Sequence, residues 1–150
     1  MQRPPQGILK LSSEPGYANA AKLLRGAGLR PTRQRVALAQ LLGAAHRHIS
    51  AESLHREADK SGMPVALATI YNTLHQFTEA GLLREVAVEG AKTYFDTNTS
   101  NHYHFFCEHS GKLLDISNGS IKIEGLPEAP EGMVISRVDV LVRLVDKQSR

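Results

Sequence analysis

The sequence predicts an α+β chain, an N-terminal winged helix-turn-helix domain followed by a small C-terminal αβ domain. Three observations predict it. Four helical stretches with recognisable starts and stops crowd the first half, a pair of short alternating runs follows them about Glu89 and Gly90, and the last third mixes strand-like runs with a Pro/Gly/Glu connector.

The first helix is expected in "YANAAKLLRGAG", which ends in a glycine-rich stop. The second is expected in "PTRQRVALAQLLG", where Thr32 can cap the helix with its hydroxyl, and the third in "SAESLHREADKSG", from Ser50 to Gly62. In "ALATIYNTLHQFTEAG" the residues Ile70, Leu74 and Phe77 recur at i, i+4 and i+7 and define one apolar face. Tyr71, Asn72, His75 and Gln76 lie away from it. Thr69 sits near the N-terminal end, where a recognition helix meets base edges. "LLREVAVEGAKTYFD" then reads as a β-hairpin, so helices followed by this hairpin make a winged helix.

The second half is different in kind. "HYHFFCEHSGKLLDI" is strand-like, "EGLPEAPEGM" is a connector, and "VISRVDVLVRLV" places Val138, Val140, Val142 and Leu144 on one strand face. A ribbon of this size cannot hide that face alone, so it is expected to pack on a helix and on a second copy of the chain.

Composition bounds the function. The 150 residues, 41% of them apolar, suffice for one compact domain or two small ones, and a large enzyme is not expected. No run of 18 apolar residues occurs and the N-terminus has no apolar stretch of leader length, so neither membrane contact nor secretion is expected, and a cytoplasmic location is. A net charge of +3 permits nucleic-acid binding without demonstrating it. Arg3, Arg25, Arg30, Arg33, Arg35, Arg47 and Arg56 all precede the midpoint, which assigns the positive surface to the first half. The single cysteine, Cys107, cannot form an internal disulfide and is expected as a core residue beneath the sheet.

"GLRPTRQRVALAQLL", "HISAESLHREADKSG", "ALATIYNTLHQFTEAGLLREV" and "HYHFFCEHSGKLLDI" together resemble the ferric uptake regulator family of metal-responsive transcription factors, over residues 20 to 145. The "GLPEAPEGM" connector and the altered cysteine pattern further resemble its iron response regulator branch. The resemblance implies a homodimer that binds double-stranded DNA at an AT-rich inverted repeat, with a flexible segment over 1–16, a DNA-binding domain over 17–97 and a dimerisation and ligand-sensing domain over 98–150. It places Tyr71 at the base-contacting tyrosine and Arg30 where a basic residue reaches the minor groove. Arg33 is expected on phosphate, and Asn72 stands where arginine is commoner.

The stretch "SNHYHFFCEHSG" holds His102 and His104, whose spacing in a strand would send both imidazoles from one face, close enough to share a ligand. By the family resemblance they join His48, Asp96 and Asp115 in a regulatory metal site. This nitrogen and oxygen set suits Fe(II) or Mn(II), with Zn(II) able to bind in vitro. The structural zinc that many relatives hold in two C-x-x-C pairs is not expected, because Ser110 replaces the second cysteine of "CEHS" and no later cysteine exists. The branch resemblance adds haem, with His102 or His104 as axial ligand and a haem-delivering protein as a further partner; no Cys-Pro pair is present, since Cys107 precedes Glu108.

The bland reading of an isolated H-x-H is a solvated histidine pair, and His46, His55, His75 and His109 are read as surface or capping residues. Two other functions compete with an iron-responsive regulator modulated by haem or a divalent metal: a metal-activated repressor of the same family sensing Mn or Zn, and a haem or metal carrier. A zinc hydrolase is disfavoured, because the sequence has neither H-E-x-x-H nor a nucleophile elbow.

Overall fold

The computed structural model describes residues 16–43, 46–88, 90 and 92–149. The expected N-terminal segment up to residue 15, with Arg3, and Glu89 of the hairpin turn lie outside them. The chain divides into two compact units, residues 1–99 and 100–150.

In the first unit, α1 spans Tyr17–Gly26, α2 Arg33–Leu42, α3 Ala51–Lys60 and α4 Leu67–Glu79, with β1 at His48–Ser50, β2 at Arg84–Val86 and β3 at Tyr94–Asp96. Local chemistry sets the helix starts as expected. The Thr32 hydroxyl accepts from the Arg35 N–H at 3.3 Å and the Ser50 hydroxyl from the Ser53 N–H at 3.2 Å. After α3 the chain reverses through Gly62, whose φ of +82° is costly for residues with a Cβ. The apolar stripe of α4 is buried as its spacing predicts: Ile70, Leu74 and Phe77 are fully inaccessible and pack with Leu24, Val36, Leu42, Leu54 and Phe95 in one core.

The wing is a three-stranded antiparallel sheet of order β1-β3-β2. The hairpin β2–β3 was expected, with Val86 opposite Tyr94. The outer strand β1 was not, because three residues are too short to show a period. It pairs His48 with Asp96 and Ile49 with Phe95.

The second unit is a three-stranded sheet of order β5-β4-β6, built from β4 (His104–Cys107), β5 (Lys112–Asp115) and β6 (Leu141–Leu144), followed by a 3₁₀ turn at Lys147–Ser149. The described residues of this unit contain no α-helix. Three details correct the sequence reading. The run 102–116 is two strands reversed at residues 108–111, with Gly111 at φ +70°. The final strand begins at Leu141, so Val138 and Val140 precede it; β6 runs parallel to β4 from the pair His104/Leu141 to Cys107/Leu144, and the length of β4 limits its ladder. Cys107 is half-buried, not in the core, because burial alternates along β4 and falls on His104 and Phe106.

Candidate metal centre and nucleic-acid interface

Each unit carries its own convergence of imidazole and carboxylate. In the first, the β1–β3 register sets His48 opposite Asp96. His48 Nε2 lies 3.1 Å from Asp96 Oδ2, with the Asp96 side chain almost wholly inaccessible. The other carboxylate oxygen accepts from the Asn98 N–H at 2.8 Å, which fixes the carboxylate plane. On the far side of β3 the register places Arg84, also buried, opposite the same aspartate.

In the second unit, His102 Nε2 is 3.2 Å and His104 Nε2 3.4 Å from the same oxygen, Asp115 Oδ1. The two rings lie 4.4 Å apart at 64°. The pairing of β4 with β5 sets His104 opposite Asp115. His102 precedes the strand, contrary to expectation; a hydrogen bond from its Nδ1 to the Ser100 carbonyl, 2.7 Å, orients the ring instead of strand pleating.

That bond decides the tautomer. A carbonyl cannot donate, so Nδ1 carries the hydrogen and a neutral His102 has its lone pair at Nε2. The lone pair faces a carboxylate oxygen, and both histidines are buried. Two electron-rich atoms at this distance need a proton or a cation between them. With ligand atoms of His102, His104 and Asp115 all within 4.8 Å of one another, the donor set fits a borderline divalent metal, and the Nδ1 bond is the outer support that metal-binding histidines use.

The predicted nucleic-acid residues all belong to the first unit. Arg30 and Arg33 are exposed, Arg33 as the first residue of α2. On α4, Asn72, His75 and Gln76 are exposed and Thr69 is half-buried. The helix has neither a side-chain cap nor an acid in its first turn. Tyr71 is half-buried, packs on the core and donates its hydroxyl to Glu52 Oε1 at 2.7 Å. The bond holds the Glu52 carboxyl below its ordinary range and raises the Tyr71 phenol above its own.

Sequence reading missed Glu52 and named Arg35 only as part of the positive surface. Arg35 donates one guanidinium nitrogen to the Arg30 carbonyl at 2.8 Å and another to Gln76 Oε1 at 3.0 Å, tying the loop before α2 to α4. The only hint was the density of "TRQR", which does not say which arginine turns inward.

The profile of the Ferric uptake regulator family matches residues 26–141. The chain belongs to this family. Ferric uptake regulator homologues are DNA-binding transcription regulators and not enzymes. The chain is 38% identical over 92 residues to the peroxide-responsive repressor PerR of Staphylococcus aureus strain Mu50, a match covering 61% of this chain and 62% of that protein. It thus spans a little under two thirds of the curated relatives it matches. The ferric uptake regulator of Pseudomonas aeruginosa, solved with manganese, superposes with a TM-score of 0.66 at 27% identity, covering 85% of this chain and 98% of that one. The Vibrio cholerae ferric uptake regulator does so with 0.65 at 24% identity, covering 84% and 98%, and supports the fold. No helix among the described residues is long and apolar enough to cross a membrane.

Proposed function

We propose that this protein is a homodimeric, iron-responsive DNA-binding transcription regulator whose operator affinity is set by a divalent metal, Fe(II) or Mn(II), or by haem. The His102–His104–Asp115 convergence carries the reading: two buried imidazoles share one carboxylate oxygen, and the Ser100 carbonyl engages His102 Nδ1 so that Nε2 is the nitrogen turned toward Asp115. His48 and Asp96 complete the set from the DNA-binding unit. Bound metal would supply positive charge that draws the donors of both units together. A ligand shifts a conformational equilibrium only by binding its states unequally, and donors drawn from two units meet that condition.

DNA binding is assigned to residues 17–97, with Thr69, Tyr71 and Asn72 toward bases of an AT-rich inverted repeat, Arg33 on phosphate and Arg30 toward the minor groove. Dimerisation and sensing are assigned to residues 98–150. Haem, and with it the iron response regulator branch, is supported by Ser110 in "CEHS", by the single cysteine, and by histidines able to supply an axial nitrogen.

The test is a DNA-binding titration of purified protein without ligand, with Mn(II), with Fe(II) and with haem, against duplexes selected from a randomised pool. Affinity that changes at least tenfold with one ligand supports the reading. Identical affinity in all four arms rejects ligand control, and failure to enrich any sequence rejects the regulator.

A further inference from the structure

The Tyr71 side chain is held at both ends. Its ring packs against the core and stacks on His75, with centroids 6.5 Å apart and planes at 22°, while its hydroxyl donates to Glu52 from the first turn of α3. A phenol has one proton to donate and lone pairs to accept with. Here the proton is committed to a carboxylate, a charge-assisted bond roughly twice as strong as a neutral one.

We propose that Glu52 is a positioning and specificity-determining residue for duplex recognition: it orients the Tyr71 phenol and withholds its proton from the DNA backbone. The proposal rests on the DNA-binding reading above. Phosphate oxygens accept hydrogen bonds and donate none, so a phenol whose proton is taken adds nothing to sequence-independent binding. It can still accept from a base amino group or present its ring to a thymine methyl, the contacts that read sequence. The Glu52 charge acts in the same direction, since a fixed anion beside the helix repels phosphate. Without Glu52 the phenol is free to rotate and to donate to phosphate, so binding to arbitrary DNA rises while discrimination falls.

The test uses the full chain with Mn(II), a 30-bp duplex pool with a randomised core and a mixed-sequence duplex of about that length, a span of roughly 100 Å at 3.4 Å per step. The readout is the ratio of Kd for the mixed duplex to Kd for the best selected duplex. Glu52→Ala is expected to lower this ratio about tenfold, the discrimination of one lost base contact, and Tyr71→Phe by a similar factor. The double variant is expected to lose no more than the worse single one, and Glu52→Gln, which keeps an acceptor, to recover most of the ratio. A second readout is independent of DNA: the tyrosinate absorbance titration, assigned by difference against Tyr71→Phe, should move down toward ordinary tyrosine in Glu52→Ala. Additive losses in the double variant, or an unchanged ratio in Glu52→Ala, overturn the proposal while leaving the regulator intact. A wild type that enriches no sequence overturns both.

Discussion

Arg47 and Glu57 close a two-pronged ion pair between the lead-in to β1 and the body of α3, Nη1 to Oε2 at 2.9 Å and Nη2 to Oε1 at 2.5 Å. The same Nη1 donates to the Leu41 carbonyl at 3.2 Å, and the Arg47 and Thr97 backbones are joined through the Thr97 N–H and hydroxyl. One guanidinium therefore binds the end of α2, α3 and the strand segment that carries His48. Arg47→Ala should destabilise the first unit by about 1–2 kcal/mol, because the pair is partly solvated and its own worth is small while the loss also removes a donor from the Leu41 carbonyl. Denaturant titration checks this, and a change below about 0.3 kcal/mol would assign the pair no structural weight.

Arg33 is exposed at the start of α2 and is expected to neutralise one phosphate. Arg33→Ala should weaken binding to all duplexes alike and flatten the plot of log affinity against log salt by about one unit of slope. A slope equal to wild type would place Arg33 off the duplex.

His102→Ala combined with His104→Ala removes both imidazoles that face Asp115. High-affinity Mn(II) binding by calorimetry and the haem Soret shift should both be lost, with ligand-free DNA binding retained. Wild-type midpoints for metal and haem in the double variant would exclude this pair as the sensor.

Met133, Val134 and Ile135 are exposed apolar neighbours in the second unit, and Val134 is 87% accessible. We assign the proposed dimer contact to this segment. Val134→Asp with Ile135→Asp should yield a monomer by sedimentation at micromolar concentration, with weak binding to any inverted repeat. A wild type that itself sediments as a monomer under those conditions contradicts the dimer.

Tyr71 donates to Glu52 and so holds its carboxyl below the ordinary value of 4.5. A depressed folded value contributes stability that is present above the unfolded value and lost as pH falls through the folded one. Wild type should therefore exceed Glu52→Gln in denaturant midpoint near neutral pH, with the gap closing as pH falls below that ordinary value. A gap unchanged at about pH 3 would trace it to packing instead of charge.

Much of the first unit was legible because its determinants are local. The i, i+4, i+7 spacing of Ile70, Leu74 and Phe77 specifies a buried face whatever surrounds it, and Thr32 and Ser50 cap helices through N–H groups three residues on. His102, His104, His48, Asp96 and Asp115 were named from the order of motifs along the chain, a pattern that carries residue identity and no distances. Tertiary structure decided the rest. Glu52 reaches Tyr71 across 19 residues, Arg35 reaches Gln76 across 41 and Arg47 reaches Thr97 across 50. Such bonds leave no periodic trace, since each depends on where the chain returns and not on its neighbours in sequence. The same holds for β1, three residues long, which exists as a strand only because β3 offers it a ladder; the alternation of β6 was legible, and the fold decided only its start at Leu141 and its parallel pairing with β4. The setting of His102 belongs there too: sequence supplied the imidazole, and the fold brought the Ser100 carbonyl to one of its nitrogens and the Asp115 carboxylate to the other.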